Sequence, residues 1–274
     1  MAGEPRKRGR PRARGAGDAD SGGVRALDRA LDVLEVIARA NGLTLSEIAQ
    51  RLDLAPSTVH RVLVTLDARG MAECDRDSQT WHVGPTAFRH GTAFLRRSGL
   101  VERARPVLRH LMEATGETAN LGILNGDAVL FLSQVETHET IRAFFPPGTR
   151  SALHASGIGK ALLAHMPESM LRRTVGGLKL TPFTAMTLTD PQALIDDLAL
   201  IRARGYSLDN EERTPGMRCI AAPIFDLAGE PAAGISVSGP VLRMGDERLS
   251  AICDDVVSAA RSLSLDWAHA GDQG

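Results

Sequence analysis

The sequence holds only three cysteines in 274 residues, Cys74, Cys219 and Cys253, and no CxxC pair. That odd, widely spaced set excludes a disulfide framework and a zinc knuckle, and a reducing cytoplasm is the expected compartment. No uninterrupted apolar run reaches the roughly 18 residues of a membrane span, so no membrane partner is expected. No apolar h-region follows the basic N-terminus, which is therefore not expected to be a signal peptide. Internal repeats are absent, and so are GxSxG and HExxH. Histidines His82, His90, His110, His138, His154 and His165 are scattered, and no cysteine stands beside a clear histidine partner. Neither a catalytic residue, a metal nor a cofactor is expected, and the chain is not expected to be an enzyme.

Positive charge, by contrast, is concentrated. Six cations (Arg6, Lys7, Arg8, Arg10, Arg12 and Arg14) crowd nine residues that contain no large apolar side chain. Such a segment cannot bury surface to offset the entropy of ordering, so residues 1–23, with the small-residue linker "GAGDADSGG", are expected to be a disordered basic arm. The net charge of the whole chain is -1, made of +3 in residues 1–23, +1 in residues 24–97 and -5 in the remainder. This asymmetry suggests a polyanion partner at one end only. The core of the arm, "RGRP" (Arg8 to Pro11), resembles an AT-hook, whose arginines suit the negative potential of a narrow A·T-rich minor groove. A polybasic tail with no groove preference is the alternative.

Leu27, Leu31, Leu34 and Ile37 recur at helical spacing and predict one inward face of an amphipathic helix that ends near Asn41-Gly42. "LTLSEIAQRLDL" predicts a short second helix, and "PSTVHRVLVTLDARG" a third, with Pro56 at its first position and Gly70 as its stop. Two extended runs around Arg76-Asp77-Ser78 predict a hairpin. Helix, short helix, tight turn, helix and hairpin make a winged helix-turn-helix, expected over residues 24–84. The third helix opens with Pro56, Ser57 and Thr58 and carries His60, Arg61 and Thr65; with Ser46 at the start of the second helix, these are the candidate DNA contacts. Short polar groups and a guanidinium can reach base edges and phosphates in a major groove. A protein-docking module with a solvated polar face is the alternative.

Residues 85–100 are expected to form a linker helix, 101–268 a second domain and 269–274 a tail. From Thr118 the period changes to that of strands: "TANLGILNG", "AVLFLSQVE", "IRAFF", "YSLDNEE", "MRCIAAPIFD" and "PAAGISVSGP", with helices between and after them. The fold class is α+β, an antiparallel sheet of five or six strands with packed helices. "SGIGK" fails as a phosphate loop, because His154 and Ala161 stand where Gly and Ser or Thr are required. It remains a glycine-containing turn into a helix, suited to one small anion or merely to a tight connection. Ser236 and Ser238 share one strand face, and Cys219 and Asp209 also fall on predicted strands. Together they would bind a small polar molecule; singly, each serine is satisfied by backbone alone. The acids of "LDNEE", Asp209, Glu211 and Glu212, are of a type that can bind a metal, but consecutive acids more often form a solvated loop, which is the expectation here.

Residues 24–266 resemble an IclR-type transcriptional regulator, through "RALDRALDVLEVIA", "TLSEIAQRLDLAPSTVHRVLVTL", "LHASGIGKALLA" and "RCIAAPIFD…PAAGISVSGP" in that order. The resemblance implies a GAF-like effector domain and a homodimer or homotetramer that pairs its winged domains on a palindromic operator in double-stranded DNA. Within that family the chain is similar to the glyoxylate-responsive members. Their site is matched by Asp209, Cys219, Ser236 and Ser238, with the backbone of Ala155, Ser156, Gly157, Ile158 and Gly159 for the carboxylate. The resemblance thus implies operator binding controlled by a small 2-oxoacid, glyoxylate favoured. A larger aromatic acid, or an enzyme acting on a small acid through Cys219, are the rivals.

Overall fold

The structure, a computed structural model, describes residues 24–270; the basic arm with Arg8 and Arg10, and residues 271–274, lie outside the described residues. The chain divides into two compact units at Phe94/Leu95.

The first unit runs α1 (Arg25–Ala38), β1 (Leu43–Thr44), α2 (Leu45–Leu52), α3 (Pro56–Ala68), β2 (Ala72–Asp75) and β3 (Thr80–Val83). Its three strands pair antiparallel in the order β1-β3-β2, so the hairpin wing recruits a two-residue strand ahead of α2. A reciprocal cap fixes the start of α2: the Glu47 amide donates to Thr44 Oγ1 at 3.3 Å, and the Thr44 amide donates to Glu47 Oε2 at 2.8 Å. Asp53, at φ 50, makes the sharp turn into α3, and Pro56 occupies its first position. Val33, Ile37, Leu43, Ile48, Val59 and Leu63 form the core. The inward face of α1 differs from the sequence expectation. Val33 and Ile37 are buried, while Leu27 and Leu31 are 57% and 55% exposed and Leu34 packs only at the edge. The reason is coverage: α2, α3 and a short sheet are too small to cover a wide stripe, and the covered one is centred on the Val33–Ile37 step.

The second unit follows α4 (Pro85–Ser98), which carries the boundary, and Gly99, whose left-handed φ of 58 separates it from α5 (Leu100–Thr115). Then come β4 (Thr118–Asn125), β5 (Ala128–Val135), β6 (Arg150–Ala152), a 3₁₀ turn at Leu153–Ala155, α6 (Gly157–Ala164), α7 (Glu168–Gly177), α8 (Pro191–Arg204), β7 (Ser207–Asn210), β8 (Met217–Phe225), β9 (Pro231–Pro240) and α9 (Asp246–Ala270). The six strands form one antiparallel sheet in the order β6-β5-β4-β9-β8-β7. Strand alternation sends Leu121, Ile220, Ala222, Ile235 and Val237 to one face, against α5 and α9. On the other face Val129, Phe131 and Ala221 meet α6, α7 and α8. The expected strand "IRAFF" is absent: Ile141–Phe145 is irregular, and the edge strand is Arg150–Ala152 instead. Pro146 and Pro147 follow the apolar run and have no amide to offer a ladder, so the chain turns first. The Phe131 amide then donates to Thr149 O at 2.9 Å, and pairing resumes.

Helix α6 is buried along its whole length and is held from both ends. At its C-terminus, Arg202 of α8 donates to the carbonyls of Ala164 (2.5 Å) and Met166 (2.7 Å). Near its start, Lys160 is 1% exposed and its Nζ donates to Asp197 Oδ2 (2.9 Å), Leu208 O (2.8 Å) and Glu212 Oε1 (2.6 Å). One ammonium therefore ties α6 to α8, to β7 and to the turn after it. Glu212 is buried, which corrects the expected solvated loop: the acid leaves water because a buried cation needs it. Truncation of one partner in such a network strands the others, so Lys160→Ala is expected to lower stability by about 3–5 kcal/mol in urea denaturation. A loss under about 1 kcal/mol would show that the network does not hold the helix.

Candidate functional site

Two surfaces gather the residues singled out from the sequence. On α3, Ser57, His60, Arg61 and Thr65 are exposed on one helical face, Thr58 is half-buried beside them, and Pro56 and Ser46 are exposed at the starts of α3 and α2. Thr65 Oγ1 donates back to Arg61 O at 2.8 Å. No side chain caps α3, because its N-cap is Ala55, so the helix start is free for an external acceptor such as a phosphate oxygen. A groove of about 340 Å³ between α1 and α3 is lined by Thr58, Arg61 and Thr65 together with Arg29. Arg29 was not anticipated. Its signal lay in the sequence as a cation one turn from the start of α1, but only the packing of α1 on α3 sets it beside Arg61.

In the second unit, register does the assembly. Asp209 pairs with Cys219, Cys219 with Ser238, and Ser238 with Thr118, so one row crosses β7, β8, β9 and β4. The adjacent row on the same face runs Ser207, Ala221, Ser236, Asn120, Gln134. Side chains opposite one another on one face touch, so a sequence separation of 120 residues collapses to neighbours. Asn120 Nδ2 donates to Ser236 Oγ and Ser238 Oγ, both at 3.4 Å, and Gln134 Nε2 donates to Asn120 Oδ1 at 3.0 Å. Asn120 is fully buried and was not anticipated; the signal was a polar residue on the Thr118–Gly122 face of an otherwise apolar strand.

The start of α6 seals this polar strip from above. Ser207 Oγ donates to Gly157 O at 2.6 Å, and Ser156 Oγ accepts from the Gly159 amide at 3.4 Å. Glycine is required at 159, where a Cβ would come within 2.3 Å of the Leu153 carbonyl oxygen; at 157 a Cβ would come within 2.7 Å of Cys219 Sγ and force the thiol to move. All of Ala155, Ser156, Gly157, Ile158 and Gly159 are buried. They reach the strip through the thiol of Cys219 and do not line the adjoining cleft. That cleft, about 310 Å³, is lined by Asp209, Cys219 and Ser238 from the row, by Arg142, Phe144 and Phe145 from the irregular segment before β6, and by Arg213 and Arg218. Ser236 lies deeper.

The electrostatics follow from burial. Asp209 is pushed up to about 6 by desolvation, against the pull of the Glu212 amide (2.8 Å to Oδ1), Lys160 and Arg213. Burial likewise raises Glu212 against the pull of Lys160. The thiol of Cys219 is pushed up to about 11 by burial and by the Asp209 charge, despite the hydroxyls of Ser238 and Ser236. A thiol so raised is neutral near pH 7; it is a hydrogen-bond donor and not a nucleophile. What the strip offers is therefore a set of donors and acceptors beside the cleft, with an acid poised to gain a proton.

Among the described residues no helix is long and apolar enough to cross a membrane, and no three of His, Cys, Asp and Glu gather as a metal site. A family model described as the IclR helix-turn-helix domain matches residues 26–76, and one described as bacterial transcriptional regulator IclR C-terminal matches residues 92–265. The HTH-type transcriptional regulator BhcR of Paracoccus denitrificans is 75% identical, over 100% of this chain and 99% of that one. The transcriptional repressor IclR of Escherichia coli is 39% identical, over 95% of this chain and 96% of its own. An IclR homolog from Microbacterium hydrocarbonoxydans, solved as a complex with 4-hydroxybenzoate, superposes with a TM-score of 0.78 at 26% identity, over 88% of this chain and 98% of its own. These relatives are regulators and not enzymes. The chain belongs to the IclR family of DNA-binding transcriptional regulators.

Proposed function

We propose that this regulator binds a palindromic operator as a homodimer or homotetramer and that a small 2-oxoacid, with glyoxylate the best fit, controls that binding. On DNA, the α3 face of Ser57, Thr58, His60, Arg61 and Thr65 enters the major groove, with Pro56 and Ser46 at helix starts near the backbone, and Arg8 and Arg10 of the arm supply added charge. In the effector site, the carboxylate meets the amides of Ala155–Gly159 at the positive end of α6 once the Cys219 thiol, which stands between them and the cleft, turns aside. The oxo group, or its hydrated gem-diol, meets Asp209, the Cys219 thiol and the hydroxyls of Ser236 and Ser238. The observation that carries this proposal is the polar row Asp209–Cys219–Ser238 under the start of α6, with Asp209 and Ser238 buried and Cys219 half-buried, open to a cleft. A ligand acts only if it binds the DNA-competent conformation and its alternative unequally.

A second possibility is an aromatic acid. The 4-hydroxybenzoate complex of the Microbacterium hydrocarbonoxydans homolog favours it, as do Phe144 and Phe145 at the cleft. Calorimetry with glyoxylate, pyruvate and 4-hydroxybenzoate decides between them; heat with the aromatic acid alone would overturn the small-oxoacid assignment.

Arg61→Ala is expected to weaken binding to the DNA upstream of the chain's own gene by about 1–3 kcal/mol in fluorescence anisotropy. Unchanged affinity would remove α3 from the interface. Deletion of residues 1–14 is expected to flatten the dependence of affinity on salt, because fewer phosphates are neutralised; an identical slope would leave the arm without a role on DNA.

The raised Asp209 carboxyl sets a pH dependence. Its folded value, about 6, lies above the ordinary 3.8, so the folded state holds the proton more tightly, and this group's contribution to stability falls as pH rises between those values. An anionic ligand placed beside Asp209 raises it further. Binding then takes up a proton above pH 6, and affinity for glyoxylate is expected to weaken by up to about tenfold per pH unit there. Asp209→Asn should remove the part of this slope centred near 6; a wild-type affinity that is flat from pH 5.5 to 8 would place the ligand elsewhere.

A further inference from the structure

Three guanidinium groups line the cleft, and they are not equivalent. Arg142 Nε lies 2.7 Å from Glu136 Oε2. Arg218 donates to Asn210 Oδ1, to Met244 O and to Asp246 Oδ1, the last at 3.0 Å. Each of these two has an acid of its own. Arg213 has no ion-pair partner among the described residues.

Arg213 is held by an aromatic ring. Its Cζ sits 3.9 Å from the centroid of Phe183. On Phe183 the ring of His154 also stacks, at 5.8 Å and 25°. His154 Nε2 in turn donates to Thr181 O at 3.0 Å. Loop and arginine are cross-tied as well. Thr187 Oγ1 accepts from the amides of Phe183 (3.0 Å) and Thr184 (2.9 Å) and donates to Glu212 O at 2.6 Å. Thr184 Oγ1 donates to Glu211 O at 2.7 Å. The segments that carry Phe183 and Arg213 are thus tied to each other through the Glu211 and Glu212 carbonyls.

The chemistry of that pairing matters. A ring face attracts a cation through its quadrupole but carries no net charge, so it positions a guanidinium without neutralising it. A carboxylate partner would have done both. The result is a placed guanidinium without a direct ion pair, on the wall of the cleft that also holds Asp209 and Cys219, its charge felt by the Asp209 carboxyl only through space. Guanidinium is the group whose planar fork fits a carboxylate with two hydrogen bonds.

We propose that Arg213 is the specificity-determining cation of this site, selecting small carboxylate anions over neutral molecules of the same shape, and that Phe183 is its positioning residue. The proposal rests on the effector assignment above and adds the residue that sets the charge of the ligand. It explains how an acidic side chain and an anionic ligand share one cleft: the field of Arg213 offsets that of Asp209.

The test compares an acid with its amide. Isothermal calorimetry of full-length wild type, Arg213→Gln, Arg213→Lys and Phe183→Leu is run against glyoxylate and glyoxylamide, and against 4-hydroxybenzoate and 4-hydroxybenzamide. Arg213→Gln is expected to weaken the bound acid by about ten- to a hundredfold and to leave the amide within about twofold. Arg213→Lys should restore part of the difference. Phe183→Leu should lose part of it, and the double variant no more than Arg213→Gln alone, because the ring acts only through the arginine. Equal losses for acid and amide, or none for either, would overturn the proposal. If wild type binds only 4-hydroxybenzoate, the small-oxoacid assignment fails and the acid–amide ratio of that pair still decides the role of Arg213. A wild type that binds none of the acids sinks both.

Discussion

A buried ammonium group organises the half of the molecule that could sense a small ligand. Lys160 has no water to solvate it, so Asp197, Glu212 and the Leu208 carbonyl must all come to it. Those partners belong to α8, to β7 and to the turn that follows β7. Satisfying one charge therefore fixes where α6 begins and how the chain leaves the edge strand. Glu212, once fixed, presents its amide to Asp209. The orientation of the candidate acid is a consequence of the ion network, one residue removed. Arg213 is the next residue in the chain, so the same constraint also sets where the unpaired guanidinium of the cleft begins.

The sheet supplies the rest through registry alone. Its two faces are packed with aliphatic side chains, by α5 and α9 on one side and by α6, α7 and α8 on the other. The polar strip is an interruption of the second core. An interruption of this kind is stable only when its members satisfy one another, which Asn120 does by bridging both serines while Gln134 holds its other end. The glycines at 157 and 159 let α6 lie close enough to close the strip, so that any guest is held by donors already in place. Preorganised donors lose little on binding, which is how a molecule of only a few heavy atoms can be held at all.

Much of this was legible in the sequence, and what was not has a common cause. Helices and strands with strong periodicity, such as α3, α8 and β9, follow from spacing. Ser236 and Ser238 declare a shared face by alternation, and only sheet order sets them against Cys219 and Asn120. Leu27 and Leu31 misled because a leucine stripe reports which face is apolar, not which face another element is large enough to cover. "IRAFF" misled because strand propensity is local, whereas pairing needs a neighbour and an amide, and the two prolines remove the latter. Glu212 and Lys160 looked like a loop acid and a failed phosphate-loop lysine. Each makes sense only in the presence of the other, and they are 52 residues apart.

The site divides into a floor and a rim, and the two differ in what they can determine. The floor is built from strands and a helix start, elements whose register permits one arrangement; under the proposed assignment it sets the class of chemistry, a small molecule with an acid group and an oxygen to share. The rim comes from irregular segments around residues 141–148, 181–187 and 211–217, where Phe144 is 62% exposed and the Arg213–Phe183 pair is stitched together by threonine hydroxyls. Side chains there are held by a few contacts each, so substitutions in the rim can alter the size and charge admitted without disturbing the sheet. A pocket whose floor is fixed by sheet register and whose rim is adjustable would let one fold serve different ligands, as the aromatic acid held by the Microbacterium hydrocarbonoxydans homolog illustrates. It also places the choice of ligand in residues whose loops no periodicity announces.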